Sequence, residues 1–130
     1  MSKNLRFNFS TSDRIVFGWN SLKELPAIAS VYGKHILLLH SKSVSEIDHI
    51  KISLTSVGCD VIDQSFRGEP TDLSLQALLD QYRDKRIEVL IGVGGGSVLD
   101  AGKALSALLI NPGNLMDYLE VVGKGMKLTR

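Results

Sequence analysis

Cysteine is scarce, histidine is scarce and neither sign of charge predominates. Cys59 is the only cysteine in 130 residues, which excludes an internal disulfide and is the usage expected in a reducing cytoplasm. Lys plus Arg is 15 against 14 for Asp plus Glu, a formal net charge of +1. That balance leaves no electrostatic footprint for nucleic acid or for an acidic membrane surface. The opening MSKNLRFNFS has no apolar run long enough for a signal peptide or a membrane span. The three histidines are His35, His40 and His49, and no pair has the i, i+4 spacing that presents two rings on one helix face. His35 and His40 flank one apolar run at an odd separation, so a strand would turn them to opposite faces. No residue qualifies as a metal ligand on this spacing.

What remains is ordinary globular composition, 44% hydrophobic and 22% charged, in a length suited to one core. Strand-like and helix-like segments alternate, the pattern of an α/β domain. Arg14–Phe17 (RIVF) reads as a strand, and Ser21 with Glu24 as a capping box opening a helix that carries Pro26 early. HILLLH, His35 to His40, is the continuous apolar run of a strand buried on both faces. Ser43 or Ser45 then caps a helix with Ile47, Ile50, Leu54 and Val57 on one side, ended by Gly58. Cys59–Ile62 is a further strand. Thr71 caps a helix whose Leu75, Leu78, Leu79 and Tyr82 form a clean stripe, and Ile87–Val93 is the fourth strand. Strands joined through helices run parallel, and parallel sheets hold ligands at their carboxyl ends. The expectation is a Rossmann-like, mostly parallel sheet with helices on both faces.

The fourth strand runs into IGVGGGSVLDAGKALSALL, Ile91 to Leu109. Three consecutive glycines strip the turn of Cβ atoms, so amides at the start of the next helix can approach an anion such as phosphate. The dinucleotide fingerprint begun at Gly92 fails at Ser97, and a P-loop ending at Lys103 fails at Ser97 and Ala104. A purely structural account also exists. Ser97 and Asp100 have capping-box spacing, and the glycines with Ala101, Ala104 and Ala107 suit close packing of helix on sheet.

GGGSVLDAGKA, Gly94 to Ala104, resembles the GGGSxxDxxK pattern of the iron-containing alcohol dehydrogenase family. The resemblance extends to RIVFG with SLKELP, to HILLLHSK where members carry a strand ending in Thr-Asp-Lys, to GEPT, and to NPGNLMDYLE, and so covers nearly the whole chain. It implies that residues 1–130 are the NAD- or NADP-binding part of a two-domain dehydrogenase. The helical domain that binds iron or another divalent ion would lie outside this chain, which stops at GKGMKLTR, short of the family's Thr-Gly-Ser-Glu loop. The implied reaction is hydride transfer between the dinucleotide and a small alcohol or its carbonyl product. Carried over residue by residue, Gly95, Gly96 and Ser97 cradle the pyrophosphate, Asp100 lies near the nicotinamide ribose, and Glu69 and Pro70 belong to the GEPT segment beside the cofactor. Ser41 departs from the family, which often has aspartate there; Lys42 follows it and could attract a phosphate. Loss of that carboxylate admits a 2′-phosphate, and so NADP, unless the two residues are merely a polar loop. The RIVF strand resembles one that dimerises in some relatives, so a homo-oligomer is expected. The alternative readings are a related glycerol dehydrogenase, maleylacetate reductase or dehydroquinate synthase-like enzyme with the same amino-terminal architecture, or a non-enzymatic nucleotide-binding module if the natural chain ends at Arg130.

Overall fold

The computed structural model describes residues 10–119 and 123–129. Its centre is a parallel sheet of three strands, β1 (His35–His40), β2 (Asp60–Ser65) and β3 (Val89–Val93), in the order β2-β1-β3. Among the described residues five α-helices accompany it: α1 (Leu25–Tyr32), α2 (Ile47–Ser56), α3 (Asp72–Tyr82), α4 (Gly96–Leu109) and α5 (Leu115–Tyr118).

β1 lies between two neighbours and between two helical layers, which is why its middle reads as unbroken aliphatic sequence. Ile36 and Leu38 pack with Ala29 of α1 and with Ile47, Ile50 and Leu54 of α2. Leu37 and Leu39 face the other way, onto Leu75 and Leu79 of α3 and Ala101 and Leu105 of α4. All four strand residues are fully buried, each contributing about 1.5–3 kcal/mol by removal from water. Ile36 stands opposite Val61 on one side and Val89 on the other, and His40 opposite Ser65 and Val93.

The helices read from periodicity form where expected, but several starts and strand bounds differ. Arg14–Phe17 makes no strand. The segment is exposed throughout, with Ile15 at 76% and Phe17 at 99%. β-branched residues favour a strand only when a neighbouring edge and a buried face receive them, and here neither does. Ser21 does not cap. Asn20 occupies the N-cap position in the left-handed region at φ 60°, and Ser21–Glu24 form a 3-10 turn before α1 starts at Leu25. That start leaves Pro26 in the first α-helical turn, where its missing N–H costs nothing. Neither Ser43 nor Ser45 caps α2, whose N-cap is Glu46 without a side-chain bond. The Ser43 hydroxyl instead meets that of Ser41 at 2.8 Å.

β2 begins one residue later than Cys59 and runs on to Ser65, because the whole of β1 is available to pair with it. β3 begins at Val89 and not at Ile87. Just before it, the Glu88 carboxylate accepts from the Lys34 and His35 amides at 2.6 and 3.1 Å, clasping the start of β1. Those two bonds hold the Glu88 carboxyl below its usual range. Thr71 caps α3 as anticipated, in a reciprocal box with Ser74, and the Leu75, Leu78, Leu79 and Tyr82 stripe is buried.

Candidate functional site

The sheet order creates the site. From β1 the chain passes through α2 to β2 on one side; from β2 it passes through α3, on the opposite face, to β3 on the other side of β1. Successive connections therefore diverge at the carboxyl ends of β1 and β3, the crevice in which open α/β sheets hold their ligands. A cleft of about 510 Å³ opens there. Its walls are Ser41–Ser43 after β1, Phe66–Gly68 after β2, and Gly95–Val98 at the turn into α4.

Backbone bonds carry the sheet's order into these loops. The Ser41 amide donates to Val93 O at 3.0 Å, and the Phe66 amide donates to His40 O at 2.8 Å. Gly94 makes the turn after β3 at φ +152°, and a Cβ there would lie 3.1 Å from both Ser41 Cβ and Val98 Cγ2. Gly94 is thus required by backbone conformation and close approach together. Gly95 and Gly96 differ: neither has a left-handed φ, and a Cβ on either would meet nothing within 4 Å. Gly95 is the N-cap of α4, and the first i to i−4 bond of that helix is Leu99 N–H to Gly95 O at 3.2 Å. The amides of the first turn precede that bond and face the positive end of the helix dipole, a favourable place for an anion. Further along α4, Gly102 is buried and a Cβ there would come within 3.1 Å of Leu90 Cδ2, so the close packing of helix on sheet lies at this glycine.

Ser97 and Asp100 do not form the capping box their spacing implies, because Gly95 takes the cap position and leaves Ser97 inside the helix. The Ser97 hydroxyl donates instead to Glu69 Oε1 at 2.9 Å, linking the helix start to the segment before α3. Ser41, Lys42, Gly95, Gly96 and Ser97 all line the cleft; Glu69 touches it through Ser97; Pro70 and Asp100 lie outside its walls. Gly94, the first of the three glycines noted in the sequence, belongs to this region as well. Arg67 also lines the cleft, and the sequence carries no signal for it, since only strand pairing brings its loop beside Ser41–Ser43.

Behind Ser41, His40 is 8% exposed, with Nε2 3.2 Å from Asp63 Oδ1 and Nδ1 3.2 Å from Ser41 O. Asp63 Oδ2 also accepts from Lys51 Nζ at 2.8 Å. The Lys51 bond first, and then His40, hold the Asp63 carboxyl below its usual range. His35 lies at the other end of β1, exposed and 3.6 Å from Asp60. Among the described residues no three His, Cys, Asp or Glu side chains converge on a point that would hold a metal ion. No helix among them is long and apolar enough to cross a membrane.

Comparison with known proteins agrees with this architecture. The chain is 31% identical over 121 residues to long-chain-alcohol dehydrogenase 1 of Geobacillus thermodenitrificans, covering 85% of the chain and 31% of that protein. It is 27% identical over 118 residues to the NAD-dependent methanol dehydrogenase of Bacillus methanolicus, covering 85% and 30%. The crystal structure of NADH-dependent butanol dehydrogenase A from Thermotoga maritima superposes with a TM-score of 0.77 at 20% identity, over 96% of the chain and 32% of that structure, which establishes a shared fold. The chain therefore spans under a third of the length of these proteins. The family model described as iron-containing alcohol dehydrogenase matches residues 12–129. With a doubly wound parallel sheet and a glycine turn at its switch point, this chain belongs to the iron-containing alcohol dehydrogenase family.

Proposed function

We propose that residues 1–130 form the dinucleotide-binding part of an alcohol dehydrogenase that transfers hydride between NAD(P) and a small alcohol and its aldehyde or ketone. The observation that carries this is the pair Gly95 and Gly96. The fold makes no steric demand for glycine at either position, yet both line the cleft, and a Cβ on either would project into open space. A site that must admit a phosphate against backbone amides explains that open space.

In this function Gly95, Gly96 and Ser97 receive the pyrophosphate, Asp100 lies toward the nicotinamide ribose, and Glu69 and Pro70 border the same side. Ser41 and Lys42 face the adenosine ribose, where the absence of a carboxylate admits NADP as well as NAD. Nicotinamide, when bound, supplies the hydride acceptor for the alcohol carbon. The residues of this chain bind and orient that group. Among the described residues no cluster of side chains could hold a metal ion, and the family's iron would belong to a helical domain outside residues 1–130. The exposed apolar segment around Ile15 and Phe17 is the surface through which we expect copies to associate.

The test is Gly96→Val with calorimetric titration of NAD and NADP. A branched side chain fills the phosphate's approach, so affinity for both should fall more than about tenfold, with the far-ultraviolet circular dichroism unchanged. A folded variant that binds both cofactors as the wild type does would return the glycines to a structural role.

A further inference from the structure

We infer that Arg67, acting with Lys42, forms the seat of the 2′-phosphate of NADP and is therefore a specificity-determining residue of the cleft, an inference that rests on the dinucleotide function proposed above. The first observation is register. His40 of β1 stands opposite Ser65 of β2; Lys42 and Arg67 each lie two residues further on, at matching positions beyond two neighbouring strands. Both line the one cleft whose far wall is Gly95–Val98. The ends of β2 and β3 are two interstrand spacings apart, roughly 10 Å. The Arg67 loop is therefore separated from an anion at the glycine turn by about the width of β1, and the Lys42 loop, which follows β1, lies between them.

The second observation concerns charge. Among the described residues no carboxylate lines the cleft. Glu69, two residues from Arg67, accepts from Ser97, and among the described residues neither Lys42 nor Arg67 makes an ion pair. Two unneutralised cations thus face the same space as the Ser41 and Ser43 hydroxyls, which meet at 2.8 Å. A dinucleotide with a free 2′-hydroxyl brings only its pyrophosphate, which is held at the glycine turn. A 2′-phosphate brings a second dianion, separated by the ribose from the pyrophosphate at the glycine turn. The guanidinium fork suits it, since arginine binds phosphate oxygens in pairs where lysine offers a point charge.

The experiment is calorimetric titration of the intact protein with NADP, NAD, adenosine 2′,5′-bisphosphate and 5′-AMP, for wild type, Arg67→Gln, Arg67→Lys and Lys42→Gln. Wild type should prefer NADP, and the bisphosphate over 5′-AMP, with both preferences shrinking as salt rises. Arg67→Gln should weaken NADP and the bisphosphate about three- to fivefold while NAD and 5′-AMP stay within about twofold. Arg67→Lys should keep part of the preference, and Lys42→Gln should also lower the NADP to NAD affinity ratio. Arg67 is exposed and makes no ion pair among the described residues, so circular dichroism should be the same in every variant. If wild type binds both cofactors but prefers NAD, or if Arg67→Gln leaves their ratio unchanged, the inference is overturned and the dinucleotide site stands. If wild type binds none of the four ligands, the proposed function falls and the inference with it.

Discussion

Gly94 and Gly96 stand two residues apart under different constraints. At Gly94 the backbone is at φ +152° and a Cβ would press on Ser41 and Val98, so Gly94→Ala should destabilise the fold by about 1–3 kcal/mol. Gly96 has open space and lies in a helix, so Gly96→Ala should leave urea stability equal or slightly raised, by up to about 1 kcal/mol. Equal losses in the two variants would show that the turn as a whole, and not Gly94, sets the requirement. Ser41 is a second residue whose chemistry has a sign. Its side chain lines the cleft beside Lys42, and Ser41→Asp places a negative charge where a 2′-phosphate would sit. One such charge at a partly exposed site is worth about 1 kcal/mol, several-fold in affinity. The NADP to NAD affinity ratio should therefore fall several-fold in Ser41→Asp; an unchanged ratio would make Ser41 and Lys42 an ordinary polar loop.

At the scale of elements, β2 is tied to α2 and β1 by one carboxylate. Asp63 accepts from Lys51 on α2 and lies against His40 on β1. Those bonds lower its folded-state pKa beneath the unfolded value, so its contribution is present above about pH 4 and is lost as acid protonates it. Glu88, which clasps the start of β1, is lowered in the same sense by the Lys34 and His35 amides. The melting temperature should fall as pH drops below about 4, and Asp63→Asn should flatten part of that fall while lowering stability at neutral pH. A variant with the wild-type pH profile would show that the Asp63 bonds do not couple to folding. The same elements show what a sequence discloses. HILLLH and the Leu75–Tyr82 stripe were legible because burial on two faces, or on one, leaves its own period. Arg14–Phe17 was not, since a strand depends on an edge to pair with. The α2 start was not, since Ser43 had a nearer partner in Ser41. The glycine turn was visible as composition, but Arg67 acquires its place only through the register of β1 and β2.

For the whole molecule, the switch-point topology collects three loops that are distant in sequence, 41–43, 66–68 and 95–98, into one cleft with two cations on one side and a helix start on the other. The segment from Ser10 to Asn20 lies apart from both, exposed along its length. Trp19, the only tryptophan in the chain, is within it and fully exposed. That has a spectroscopic consequence. The indole of an isolated folded chain already sits in water, so its emission maximum should change little when denaturant unfolds the sheet, while circular dichroism records a cooperative transition. Adding NADP should leave the emission maximum in place as well, because Trp19 lines no part of the cleft. A blue-shifted emission that moves to the red on dilution would instead report that copies of the chain cover this segment in solution, making Trp19 a built-in probe of assembly that is blind to folding and to cofactor.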